Sequence, residues 1–158
     1  MRVSFSISSD LAVNPGELWG AITCPTDINA EFRPLLKMTF PGGMEDVTTG
    51  WRAGVPRFRS WILLGCLIPV EFDDLVFEEV VPTRHFLERS RMLSVSLWEH
   101  KRQLDAVAGG TRLTDTVCFD PRLKLLAPAQ QRLFQWVFAW RHRQLRRMYG
   151  AAEANHGA

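Results

Sequence analysis

The chain opens with strict alternation. Val3, Phe5 and Ile7 fall on one face and Arg2, Ser4, Ser6 and Ser8 on the other, which marks a half-buried strand. Asn14-Pro15 then offers a helix cap with proline in the first turn, and Glu17 stands three residues after the cap. This predicts a short helix from Pro15 to about Thr23. A second short helix starts at Pro25-Thr26-Asp27 and must end near Arg33, because Pro34 disfavours a helical residue before it. Period-two patterns then predict strands over residues 35–40, 46–52, 57–65, 69–81 and 84–91, separated by Gly- and Pro-containing turns. Ser94 to Leu104 carries Trp98, His100, Arg102 and Leu104 on one face, and Thr111 to Phe119 carries Leu113, Val117 and Phe119, so the two segments form a hairpin across Gly109-Gly110. From Pro128 to about Tyr149 no helix breaker occurs, and Gly150 stops what reads as one long amphipathic helix.

Strands that follow one another pair as hairpins, and a curved sheet needs its apolar face covered. The last helix is the one element long enough to do so. The expected fold is therefore α+β: a curved antiparallel sheet of about six to seven strands gripping a long C-terminal helix, with two short helices after the first strand. Residues 1–150 are expected to form one domain and residues 151–158 a frayed tail.

Composition adds a cavity or a large core. The chain has 158 residues, ten of them Phe and six Trp, and such side chains either fill an interior or wall a space for an apolar guest. A net charge of +2 argues against a dedicated nucleic-acid binder. The acids of residues 71–79 and the four arginines of residues 141–147 read mainly as solvated faces. Cys24, Cys66 and Cys118 have no close pairing and are expected as free thiols, which fits a cytoplasmic protein. The longest apolar stretch, Trp61 to Val70, is about half the length of a membrane-spanning helix. His85, His100, His142 and His156 lack metal-ligand spacing, and no cofactor is called for.

Particular motifs sharpen the picture: Phe86-Leu87-Glu88, Trp98-Glu99-His100, the run from Gly110 to Phe119, and Phe138-Ala139-Trp140-Arg141. Pro34 to Thr39, after a Trp-containing first helix, is a looser match. With the element order, these motifs make the chain similar to the START-like, polyketide-cyclase-like (SRPBCC) superfamily. They look most like a bacterial branch in which the domain also occurs fused to nucleotide-sugar-epimerase-like proteins. The resemblance implies a helix-grip fold with a cavity between sheet and helix. It leaves activity open, since the superfamily spans lipid carriers, hormone receptors and aromatic polyketide cyclases.

Inside the expected grip the residues suggest a polar cluster. On a helical wheel Leu133, Phe134, Val137, Phe138, Trp140, Leu145, Met148 and Tyr149 span an arc of roughly 180°, and Arg141 lies near its middle. A buried guanidinium demands a partner. Asp115 shares the parity of Leu113 and Val117, Glu88 that of Phe86, and His100 that of Trp98. Asp115 is the first expected partner of Arg141 and Glu88 the second. The candidate ligand-binding set is Phe86, Glu88, Trp98, His100, Asp115, Phe119, Phe134, Phe138 and Arg141. Of Trp19, Trp61 and Trp98, core or cavity wall is expected, whereas Trp136 falls on the polar side of the helix. The cluster reads in three ways: a satisfied structural network, a polar seat for a ligand, or, through His100 and Asp115, acid–base catalysis on a carbonyl compound. The matching functions are a carrier of a small hydrophobic or amphipathic molecule (lipid, polyketide or aromatic), a cyclase, aromatase or dehydratase, and an interaction protein using the basic helix end. The sequence fits a monomer or a homodimer.

Overall fold

The computed structural model describes residues 1–153. Seven strands form one antiparallel sheet: β1 (Val3–Leu11), β2 (Leu36–Met38), β3 (Pro56–Leu64), β4 (Ile68–Val81), β5 (His85–Met92), β6 (Val95–Val107) and β7 (Gly110–Pro121). Their spatial order is β1-β7-β6-β5-β4-β3-β2. Sequential hairpins thus build β2 to β7, and β1 closes on β7 with Val3 opposite Phe119 and Ile7 opposite Asp115. Register shifts interrupt β3–β4, β4–β5 and β6–β7. Each shift bends its strand and adds twist, which curls the sheet into a half-barrel.

Two short helices, α1 (Pro15–Thr23) and α2 (Pro25–Phe32), follow β1, and a long α3 (Ala127–Tyr149) ends the fold. Asn14 caps α1 by accepting the Glu17 N–H at 2.9 Å, as its sequence predicts. Arg33 adopts an extended conformation before Pro34 and ends α2. Gly150 ends α3 with φ of 74°, a backbone geometry suited to glycine. Helix α3 packs against β1, β7 and α2.

Three local expectations need correction. Residues 46–52 are not a strand: Asp46 Oδ1 accepts from the Thr48 N–H at 2.7 Å and its hydroxyl at 2.6 Å, turning the chain where a ladder would need it straight. The strand expected over 35–40 shortens to Leu36–Met38. The first residues of the expected tail are tied down, because Ala151 bridges to Leu11 and the Ala152 N–H donates to the Asp10 carbonyl at 3.0 Å. Residues 154–158, the remainder of that tail, lie outside the described residues.

The interior has two apolar clusters. One gathers Leu11, Leu18, Trp19, Ile22, Phe77, Phe86, Leu113 and Leu145 around α1 and the sheet. The other gathers Met92, Val95, Trp98, Val117, Phe119 and Phe138, with Phe5 and Phe134 against it. Trp61, expected inside, is 43% exposed and packs edge-on to Phe72 on the outer face.

Candidate functional site

A cavity of about 550 Å³ lies between α3, α2 and the concave face of the sheet. That is within the range of small-molecule sites. Its walls are mostly apolar: Ile28 and Phe32 from α2, Leu36 and Met38 from β2, Leu75 and Phe77 from β4, Phe86 from β5, Trp98 from β6, and Phe134, Val137 and Phe138 from α3. Leu64, Val70, Leu133 and Trp136 also belong to the wall and are each about half exposed, so they form its rim between the β3–β4 hairpin and the first turns of α3. Leu133 was expected on the buried arc. It is exposed because the cavity, and not protein, faces it.

Polar groups enter this wall from one connected network. Arg102 is at its centre, fully buried on β6. Its Nε and one terminal nitrogen donate to the two oxygens of Asp115 at 2.7 Å each, and its other terminal nitrogen donates to both oxygens of Glu31 at 3.0 Å. Arg141 Nε donates to Glu31 Oε2 at 2.9 Å, and its guanidinium lies over the Phe32 ring at 4.4 Å. His100 Nε2 is 2.8 Å from Asp115 Oδ1, and its Nδ1 is 3.5 Å from Glu88 Oε2. Ser90 donates to Glu88 at 2.7 Å. His142 joins from α3, with Nε2 2.9 Å from Asp115 Oδ2 and Nδ1 2.8 Å from Ser9 Oγ. Arg146 donates to the same Ser9 hydroxyl at 2.7 Å. Two helices and several strands are thereby fastened together at one point.

The electrostatics follow from this pairing. Burial opposes charge on Asp115, yet Arg102 and His100 outweigh it and hold the carboxyl well below its usual range. Burial likewise opposes a charge on His100, and its two carboxylate neighbours more than offset that, raising its affinity for a proton. Glu88 is lowered on balance, with His100, Ser90 and Asp73 overcoming desolvation. Asp73 moves the other way. Buried on β4 beside Glu88, it is pushed well above the carboxylate range by desolvation and by that like charge. Burial and the nearby Arg102 lower the proton affinity of Arg141, and Glu31 partly compensates.

Of the expected site residues, Phe86, Glu88, Trp98, His100, Phe134, Phe138 and Arg141 stand on the cavity wall. Two do not. Phe119 is fully buried behind the wall with its ring 4.9 Å from Phe134, and Asp115 is fully buried behind Arg102 and His100. Arg141 is buried as its wheel position predicts, but its partner is Glu31, because the packing of α2 on α3 brings that carboxylate closer than either sheet acid. Arg102, Glu31, His142 and Asp73 were not anticipated. Arg102 sits on the same face of the alternation as Trp98 and His100. Glu31 lies three residues after Ile28 on the inward face of α2. Asp73 shares the parity of Leu75 and Phe77 within an acidic stretch that reads as solvated.

Residues 9–149 match the model of a family described as a domain of unknown function, DUF8410. The chain belongs to this family. No curated protein matches it by sequence. Among solved structures, protein CV1439 from Chromobacterium violaceum aligns with a TM-score of 0.72 at 14% identity, covering 93% of this chain and 96% of the other. DynU16, a putative protein in the dynemicin biosynthetic locus, aligns at 0.59 with 18% identity, covering 96% of this chain and 49% of that one. Ara h 8.0201 aligns at 0.57 with 12% identity, covering 92% and 98%. These likenesses give this DUF8410 member a helix-grip fold. No described helix is long and apolar enough to cross a membrane.

Proposed function

We propose that the chain binds and carries a small hydrophobic or amphipathic molecule, such as a lipid, polyketide or aromatic compound, between α3 and the sheet. The observation that carries this reading is the cavity itself: about 550 Å³ with largely apolar walls and an open rim. A void of this size forfeits contacts that a collapsed core would make, so a guest that restores them is bound favourably. The neighbours with the same fold include a protein of the dynemicin biosynthetic locus, which agrees with a small-molecule guest. Catalysis through His100 finds no support in its geometry. Both ring nitrogens face carboxylates, so a protonated ring donates to each and retains no lone pair for a base. A basic docking helix draws less support, since Arg141 and His142 are buried, which leaves Arg143, Arg146 and Arg147 as the exposed cations of that end. Native mass spectrometry of gently purified protein, together with titration of the delipidated protein by the neutral dye N-phenyl-1-naphthylamine, tests the proposal. A co-purified mass or saturable dye fluorescence is expected, abolished by Val137→Trp, which fills the cavity from α3. A folded parent that neither retains a ligand nor binds the dye would refute it.

A further inference from the structure

Resting on the carrier reading, a finer feature of the wall bears on which guest is carried. Three buried side-chain oxygens have no hydrogen-bond partner among the described residues: Asp73 Oδ1, Gln130 Oε1 and Ser60 Oγ. Orphans of this kind are uncommon and each costs free energy that a ligand can recover. Ser60 lies on β3 opposite Asp73 and is not part of the wall, but Asp73 and Gln130 both are. Gln130 cannot turn its amide over. Its Nε2 donates to the Ser94 carbonyl at 3.2 Å, an acceptor only, so Oε1 is left as an acceptor. Asp73 is 5% exposed, and its Oδ1 meets no donor of the protein.

We infer that Asp73 and Gln130 form the polar seat for an uncharged hydrogen-bond donor, and that the preferred guest is therefore an apolar molecule ending in a hydroxyl, an alcohol or phenol, and not a carboxylate. A carboxylate brings only acceptors to a wall whose unpartnered oxygens are themselves acceptors. Nor does the rest of the wall attract an anion. Arg102 and Arg141 are already paired with Glu31 and Asp115, His100 stands between Glu88 and Asp115, and Glu71 adds a further carboxylate to the wall. A hydroxyl satisfies one orphan oxygen directly, and an ether of the same length satisfies none.

The test is displacement of N-phenyl-1-naphthylamine by 1-decanol, decyl methyl ether and decanoate at neutral pH. The parent should bind decanol roughly tenfold more tightly than the ether, the worth of one buried hydrogen bond, with decanoate weakest. Gln130→Met and Asp73→Leu should each reduce the alcohol's advantage over the ether several-fold, the ratio of the two affinities being the readout. Asp73→Asn, which copies the neutral acid, should retain it. Gln130→Met decides the matter should Asp73→Leu fail to fold. Equal binding of alcohol and ether by the parent, preference for decanoate, or an undiminished alcohol advantage in Gln130→Met would overturn the inference while leaving the carrier reading intact. Absence of dye binding by the folded parent would remove both.

Discussion

Arg102→Met replaces the centre of the buried network with an apolar side chain of similar reach. Four contacts between 2.7 and 3.0 Å disappear. Asp115 keeps His100 and His142, and Glu31 keeps Arg141. One buried negative charge is nonetheless left without its cation. Removing one partner of a buried pair costs about 3–5 kcal/mol, far more than the pair's net worth, because the survivor remains desolvated. For a chain of this size each kcal/mol shifts the melting temperature by about 2–4 °C, so the variant should melt on the order of 10 °C below the parent at pH 7. A second readout separates charge from packing. Arg102 is the main cation that holds Asp115 below its usual range, and such a lowered group stabilises the fold above its unfolded pKa, about 3.9, and loses that contribution as pH falls. The variant lacks it already, so its deficit should shrink as pH falls through about 4. Arg112→Ala is the control: it breaks a guanidinium–carboxylate pair of similar geometry with Asp10 on the exposed face and should melt with the parent. A pH-7 melt of Arg102→Met within about 2 °C of the parent, or a deficit that does not change with pH, would refute the reasoning.

Three further outcomes are expected. Asp73 binds its proton more tightly in the folded state than in the unfolded one, so stability falls as pH rises from about 3.9 through its raised pKa. Asp73→Asn removes that loss and should be more stable than the parent in urea at pH 8 and no more stable at pH 4; His100 titrates with the same sign in both proteins and cancels from the comparison. Gly110→Ala drives a Cβ into the Leu11 carbonyl oxygen, where backbone cannot yield, and should cost on the order of 1–3 kcal/mol or more by urea melt. Gly20→Ala, on an exposed helical position with nothing within 4 Å, should instead gain about 0.5–1 kcal/mol.

The fold is legible because its elements carry long, clean periods. Alternation over β1, β6 and β7 gives their inward faces directly, and the unbroken run after Pro128 gives α3 to within one residue. The same parity places Glu88, His100 and Asp115 inward, and all three are buried. Parity assigns a face but not a depth. It cannot tell that Asp115 stands behind Arg102 while Glu88 reaches the cavity. Pairing across elements is less legible still. Arg141 chooses Glu31 because of where α2 lies on α3, and α2 has only eight residues, too few for its inward face to stand out. Asp73 is hidden differently. Its neighbours Glu71, Asp74, Glu78 and Glu79 dominate the local composition, and only its place in the alternation with Leu75 and Phe77 distinguishes it.

The cavity and the ion network occupy the same interior for a physical reason. Apolar contacts are not directional, and a helix held over a curved sheet by them alone would settle inward until a void of about 550 Å³ had closed. Hydrogen-bonded ion pairs resist this because they have a fixed length. Glu31 on α2, Arg102 on β6, Asp115 on β7 and Arg141 and His142 on α3 set the distances between those elements to within a hydrogen bond. Ser9 extends the tie to β1. The cost of burying these charges is contained by their mutual pairing, and the apolar clusters on either side of the network supply the stability it does not. Polar residues here set the spacing, and apolar ones are thereby left free to line a wall.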